Sequence, residues 1–378
     1  MLAVCGIADT AATGMRFSRA VWLRALAAAL ICTASAAFAA APPPAPPAGS
    51  LWAQDNLVAW GVAPFDAKQR SVLERSEMLQ SLGFRHIAYN WRAKHVPTFD
   101  QEIAALQAHG IEVLAWALYL RDRPEETVDW KHYIVASPES LTTEGLTLES
   151  LLEIFKRHHV HPQLWLIQGF AAQDSASTAK AQKDPDTMSP AEWLEWATAQ
   201  WRADIASMPQ KRRVEQEANR IAALERITAP YGVHVELYNH NGWFGIEDNQ
   251  LAVIEQLKRL GVRNVGMVYN FEHARDSVHD DTVGFPRLWE RIKPHVVAVN
   301  VSGTVLEPRH LYPSQGDREL EMMRTIQASG WTGPIGLNIE TGGDAKVTLE
   351  KARLGLNWLA AELKQTGSGG ARPFPVAP

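Results

Sequence analysis

Eight times between residues 57 and 339, a short apolar run is followed by a helix-forming stretch and a polar or glycine-bearing turn, and few folds accept that order. The runs are 57–62 "LVAWGV", 86–91 "HIAYNW", 112–119 "EVLAWALY", 162–168 "PQLWLIQ", 234–239 "HVELYN", 265–271 "VGMVYNF", 296–302 "VVAVNVS" and 334–339 "PIGLNI". Between them apolar residues recur at i, i+3 and i+4, as in "SVLERSEMLQSLG", "FDQEIAALQAHG", "NQLAVIEQLKRLG" and "GDRELEMMRTIQASG", each ending on glycine, a frequent helix stop. A strand that leads into a helix and then another strand returns parallel to the first. Eight such units over roughly 300 residues predict a single (β/α)8 barrel, a TIM barrel of the α/β class. An open doubly wound sheet is the alternative, but no G-x-G-x-x-G follows the first run.

Two connections are long. Residues 120–143 and 170–205 follow the third and fourth strands, on the face where barrel enzymes build their sites. The second contains "MSPAEWLEWATAQW", read as a helix opening at Ser189-Pro190.

Strand alternation assigns side chains to the lumen. In the fifth strand Val235 and Leu237 face the helices, so Glu236, Tyr238 and His240 face inward. In the sixth, seventh and eighth strands the same parity selects Asn270, Asn300 and Asn338, with Glu340 two residues further on. Asparagine is depleted from strands, so three in matching places point to a polar ring at the mouth. The plainer alternative is that the three amides bond one another. Asn90 and Arg92 share a face of the second strand, with His95 just beyond, and could close the same rim or pair on the surface. Trp116 and Tyr119 in the third strand offer faces for stacking on a sugar, or core volume.

The first 41 residues read as a secretory leader. Arg16, Arg19 and Arg24 precede the apolar run "ALAAALICTASAAFA", and Ala37, Ala39 and Ala41 follow in an A-x-A-like order, with Met15 as an alternative start. Residues 42–55 read as a proline-rich linker, 56–364 as the barrel and 365–378 as a disordered tail. Both cysteines, Cys5 and Cys32, fall within the leader, so the expectation is a periplasmic or secreted protein without disulfides. Asp9 against three arginines gives residues 1–41 a charge of +2, leaving the remainder more acidic than the −5 of the whole chain. That disfavours nucleic acid, and the leader's apolar run is too short for stable membrane insertion. A small-molecule carbohydrate is the expected partner.

The stretch "NLVAWGVAPFDAKQRSVLERSEMLQSLGFRHIAYNWRAKHVPTFDQEIAALQAHGI", with "LYNHNGWFG", "NVGMVYNFEH" and "SQGDRELEMM" further on, resembles an exported bacterial subgroup of the xylose-isomerase-like TIM barrels, the sugar isomerase/epimerase superfamily. The resemblance runs from about residue 56 to 363. It implies the barrel and places Asn239 and Trp243, in "LYNHNGWFG", beside the substrate. In the metal-dependent epimerases of the superfamily, a Glu, an Asp, a His and a Glu on strands five to eight hold the metal. "ELYN" matches the first at Glu236, whereas "NFEH" offers Asn270 where the Asp stands, and Asn300 and Asn338 fall at the third and fourth positions. An amide oxygen is a weaker, neutral donor, so the usual Mn2+ or Mg2+ site is not reproduced. A rearranged set of Glu236, His240, His273 and Glu340 would lean toward Zn2+.

The resemblance implies isomerisation, epimerisation or β-elimination on a sugar or keto-sugar. These reactions share one demand: a base must take a proton from carbon beside a carbonyl while the oxyanion is stabilised. Glu236 and His240 are the catalytic candidates. A carbohydrate-binding barrel that has lost its chemistry is the alternative, and a glycoside hydrolase using Glu236 with Glu340 is the third reading.

Overall fold

Each of the eight apolar runs forms a strand, the third over its whole length and the others trimmed. The computed structural model describes residues 51–120, 128–135, 145–168, 208–240, 242–274, 278, 284–305, 310–338, 340–364 and 371–377. The leader, most of the linker and the helix read at 188–201 lie outside the described residues. The strands are β1 (Leu57–Trp60), β2 (His86–Tyr89), β3 (Glu112–Tyr119), β4 (Gln163–Ile167), β5 (Val235–Tyr238), β6 (Gly266–Asn270), β7 (Val296–Val301) and β8 (Ile335–Asn338). They pair in sequence order, all parallel, and β8 closes on β1.

A helix follows every strand: α1 (Val72–Ser81), α2 (Phe99–Ala108), α3 (Leu148–Arg157), α4 (Gln210–Thr228), α5 (Glu247–Arg259), α6 (Gly284–Ile292), α7 (Glu319–Ala328) and α8 (Ala345–Lys364). Their starts are written locally. Ser71 and Glu74 form a reciprocal capping box at α1, and the Thr147 hydroxyl accepts from the Ser150 amide at α3. The buried Arg75–Glu102 pair, at 2.8 Å, ties α1 to α2.

The layer between strands and helices is aromatic, and Trp116 belongs to it. Its ring lies 4.4 Å from Tyr89, 4.7 Å from Phe99 and 5.2 Å from Phe155, and it is fully buried. The stacking role expected for Trp116 is therefore corrected. Alternation along β3 sends Tyr119 to the lumen and Trp116 to the helices.

Two boundaries also shift. Leu51 and Trp52 are buried, Trp52 Nε1 donates to Gln327 Oε1 at 2.8 Å, and Asn56 Nδ2 donates to the carbonyls of Leu51 and Gly333. Among the described residues, the barrel's packing thus reaches back to residue 51, inside the stretch read as linker. Residues 371–377, read as disordered tail, are anchored instead. Arg372 donates to two loop carbonyls and Phe374 packs on Tyr312.

Candidate active site

Parity along the strands settles which residues share the lumen, and register settles their depth. Trp165, Glu236 and Gly266 are neighbours in register, and Tyr238 stands one pleat higher beside Val268. Asn270, Asn300 and Gly336 form the next row, and Trp60 is in register with Asn338. Trp60, Trp165 and Tyr238 lie 5.1–5.8 Å apart and plug the barrel.

Above this plug is a cleft enclosing about 300 Å³, its open mouth included. Trp60, Tyr238 and Ile167 make its apolar floor. Asn90, Arg92 and Tyr119 line one wall, and His240, His273 and Glu340 complete it. The wall is internally bonded. Arg92 Nη1 donates to Asn90 Oδ1 at 3.1 Å and to the Tyr119 hydroxyl at 3.2 Å, the Tyr119 hydroxyl donates to the same Asn90 oxygen, and the guanidinium lies 5.0 Å over Phe65. The imidazoles of His240 and His273 are in contact, tilted 51° with centroids 4.4 Å apart.

Glu236 is lumenal but lies beneath the plug. It is 4% exposed, and Oε2 accepts from the Gly266 amide at 2.6 Å. A Cβ at residue 266 would stand 2.8 Å from that oxygen, so only glycine lets the carboxylate reach the backbone. Burial pushes the Glu236 carboxyl up to about 8; the Gly266 hydrogen bond opposes this and Glu225 adds to it. The role of base expected for Glu236 is corrected on this geometry, because the residue does not line the cleft.

The asparagine ring exists, and its amides serve protein groups. Asn270 Nδ2 donates to the Tyr238 hydroxyl at 2.6 Å, while its Oδ1 accepts from the Glu272 amide at 3.1 Å. Asn300 Nδ2 reaches the same hydroxyl at 3.4 Å, and a Cβ at Gly336 would overlap the Asn300 amide. Asn338 Nδ2 donates to Glu272 Oε2 at 2.9 Å, and its Oδ1 accepts from the Glu340 amide at 3.2 Å. The amides thus orient a phenol, the Glu272 carboxylate and the backbone of Glu272 and Glu340, rather than bonding one another or facing substrate directly.

Those carboxylates supply the metal-binding geometry. Among the described residues, Glu272, His310 and Glu340 offer ligand atoms within 4.8 Å of one another. His310 Nδ1 lies 2.6 Å from Glu272 Oε1. Burial and the neighbouring Glu272 raise the Glu340 carboxyl to about 7, against His310 and Arg92. Two adjacent carboxylates and an imidazole fit a divalent cation, which would relieve their repulsion. Of the expected set of Glu236, His240, His273 and Glu340, the structure keeps only Glu340 in this cluster. Glu236 is below the floor, and His240 and His273 pair with each other.

Three further expectations are corrected. Nδ1 of His95 accepts from the Arg92 amide at 2.9 Å, closing the turn after β2; burial, then Arg75, Lys94 and Arg92, lower it to about 4, so it is a neutral structural imidazole. Asn239 is fully buried and joins β5 to β6, accepting from the Asn270 amide at 2.6 Å. Trp243 donates to Gln210 and carries Arg213 4.4 Å over its ring, and it does not line the cleft.

The sequence places Tyr238 in the lumen but does not single out Glu272 or His310. Glu272 continues the parity of Asn270 and is readable on that ground. His310 sits in "EPRHLYP", which has no periodicity to place it.

No family model matches the chain, and no curated protein does. Solved structures do. The IolI protein with a bound zinc atom superposes with TM-score 0.51 at 13% identity, over 81% of this chain and 98% of that one. The probable 3-DHS dehydratase AsbF of Bacillus anthracis, involved in petrobactin synthesis, gives 0.50 at 13%, over 80% and 98%. An L-ribulose 3-epimerase gives 0.50 at 12%, over 84% and 99%. With the closed eight-stranded parallel barrel, these likenesses show the fold of the chain, a (β/α)8 TIM barrel.

Proposed function

We infer that the cleft binds a small sugar or keto-sugar and moves a proton at the carbon beside its carbonyl, as in isomerisation, epimerisation or β-elimination. The observation that carries this reading is the convergence of Glu272, His310 and Glu340 at the edge of an aromatic-floored cleft. The zinc atom named for IolI and the epimerase among the structural neighbours accord with it.

Glu272, His310 and Glu340 would hold a divalent cation. Bound there, it would supply Lewis-acid stabilisation of the oxygen that gains negative charge. Asn338 holds the Glu272 carboxylate, as outer hydrogen bonds do at metal sites, and Asn270 and Asn338 fix the backbone amides of Glu272 and Glu340. Trp60 and Tyr238 give the floor aromatic ring atoms, suited to the apolar side of a sugar. His240 and His273 place imidazoles in the cleft, and an imidazole nitrogen can both accept and donate a proton, so they are the residues suited to take the carbon-bound proton and return it. A hydrolase pairing Glu236 with Glu340 across the mouth loses its support, since Glu236 lies below the floor.

The test is solvent exchange. Aldoses and ketoses are incubated in D2O with the purified protein and Zn2+, Mn2+ or Mg2+, and followed by NMR. Deuterium should enter at the carbon next to the carbonyl and should fail to enter with His240→Ala/His273→Ala. Sugar binding with no exchange under any metal would replace this reading with the non-catalytic carbohydrate-binding barrel.

A further inference from the structure

The loop that brings His310 to Glu272 is clasped from outside by a segment that the proposed chemistry does not use. Residues 311–317 return along the end of β7. The Gly303 amide donates to Leu311 O at 2.9 Å, and the Asp317 amide donates to Thr304 O at 3.1 Å. Thr304 Oγ1 donates to Phe271 O at 3.2 Å, one residue before Glu272. The two limbs have no spare room, since a Cβ at Gly303 would stand 2.5 Å from that of Leu311. Ser314 is fully buried with φ 76°, a conformation that a non-glycine residue keeps only when its surroundings hold it.

Residues 371–377 provide part of that hold. Arg372 Nε donates to Ser314 O at 2.6 Å and Nη2 to Gly316 O at 2.8 Å. The Ala377 amide donates to Gln315 O at 2.7 Å, so the carbonyls of three consecutive loop residues are bound by one segment. The Phe374 ring lies 5.4 Å from Tyr312, two residues after His310. The Arg372 guanidinium also lies 5.1 Å over Trp358, which fixes the clasp to α8.

We propose that residues 371–377 are a strap that positions His310 for the Glu272–His310–Glu340 site, with Arg372 as its positioning residue. The inference rests on the metal reading of that site. A half-exposed histidine on a loop loses freedom when it takes up a ligand geometry, and a loop already held in place has less left to lose.

The test uses the full chain, metal-free, titrated with Zn2+ by calorimetry as wild type, Glu272→Gln, Arg372→Ala, Arg372→Lys and Phe374→Ala. Amide exchange over residues 311–317 is measured without metal. Arg372→Ala should bind Zn2+ about 10-fold or more weakly, on the scale of outer-contact losses at metal sites. It should also speed exchange in the loop while leaving the melting temperature close to that of wild type. Arg372→Lys should recover part of the affinity, and Phe374→Ala should act in the same direction as Arg372→Ala. Wild-type Zn2+ affinity in Arg372→Ala overturns the strap, whether or not exchange changes, and leaves the metal reading intact. Zn2+ affinity that Glu272→Gln leaves unmoved overturns the metal reading and this inference with it; the Glu272 variant alone reports that outcome.

Discussion

Glu236 and Glu340 are both pushed toward neutrality by burial, one to about 8 and the other to about 7, yet they stand in regions of different chemistry. Glu236 lies under the Trp60–Trp165–Tyr238 plug with a backbone amide as its partner. Glu340 lies above it, lines the cleft and faces Glu272, His310 and Arg92. The shared direction reports desolvation, which any buried carboxyl feels. What separates a reactive position from a structural one is access and a second converging group. By that measure the upper region can do chemistry, and the lower one holds β5 to β6.

The sharpest way to break this comparison is to neutralise each carboxylate in turn. Glu272→Gln and Glu340→Gln should each lower turnover by about 10²- to 10³-fold on whichever sugar shows deuterium exchange, the scale for losing stabilisation of a developing oxyanion, since each removes a group that would hold the cation. Glu236→Gln should leave turnover within about threefold, since Gln can still accept from the Gly266 amide without the desolvated charge. Steady-state kinetics on the three variants decides. A Glu236→Gln enzyme as dead as Glu272→Gln would return the lower region to the mechanism.

A smaller effect concerns stability. Folded Glu236 titrates near 8 against an ordinary value of 4.5. Between those values the folded state keeps a proton that the unfolded chain has released. This contribution to stability is therefore complete below pH ~4.5, declines as pH rises toward ~8 and is flat above, with a slope of at most about 1.4 kcal/mol per pH unit. Other groups titrate in the same window, so the difference between wild type and variant isolates this one. Urea midpoints measured from pH 5 to 9 should fall more steeply for wild type than for Glu236→Gln, and the variant should be the more stable at pH 8. Parallel curves would show that Glu236 is not held neutral.

The barrel was legible because its signal is long: eight apolar runs, each followed by a 3.6-period helix. Inward faces were legible too, since parity put Glu236, Tyr238, His240 and the three asparagines in the lumen. Depth was not. Period two gives the face of a strand and not the row, so Glu236 and Glu340 looked equivalent until register placed Trp165 and Gly266 beside the first. Trp116 and Tyr119 were weighed alike although their parity differs, and the structure sends them to opposite faces. Glu272 is hidden in the sequence because the resemblance places the ligand position of the sixth strand at Asn270. In the structure the carboxylate sits two residues past the asparagine that caps it. His310 and Arg372 lie on segments without regular structure, where no period points to them.

The smallest expected effect tests the rim. The Tyr119 ring packs 5.4 Å from Trp91, and its hydroxyl meets Asn90 Oδ1 and Arg92 Nη1 at the cleft wall. Tyr119→Phe keeps the ring and removes those two contacts. A neutral hydrogen bond contributes about 0.5–1.5 kcal/mol net, so Asn90 and Arg92 should loosen without leaving the wall. If the wall positions the sugar while the proton moves elsewhere, KM should rise about 3- to 10-fold with kcat nearly unchanged, the pattern of lost uniform binding. Trp116→Phe, on the opposite face of the same strand, should leave KM alone and lower the melting temperature, because it removes volume from a packed layer. A Tyr119→Phe variant that loses kcat by 10²-fold with KM unchanged would place the phenol in the proton path. The division between a binding wall and a reactive side at His240, His273 and Glu340 would then fail.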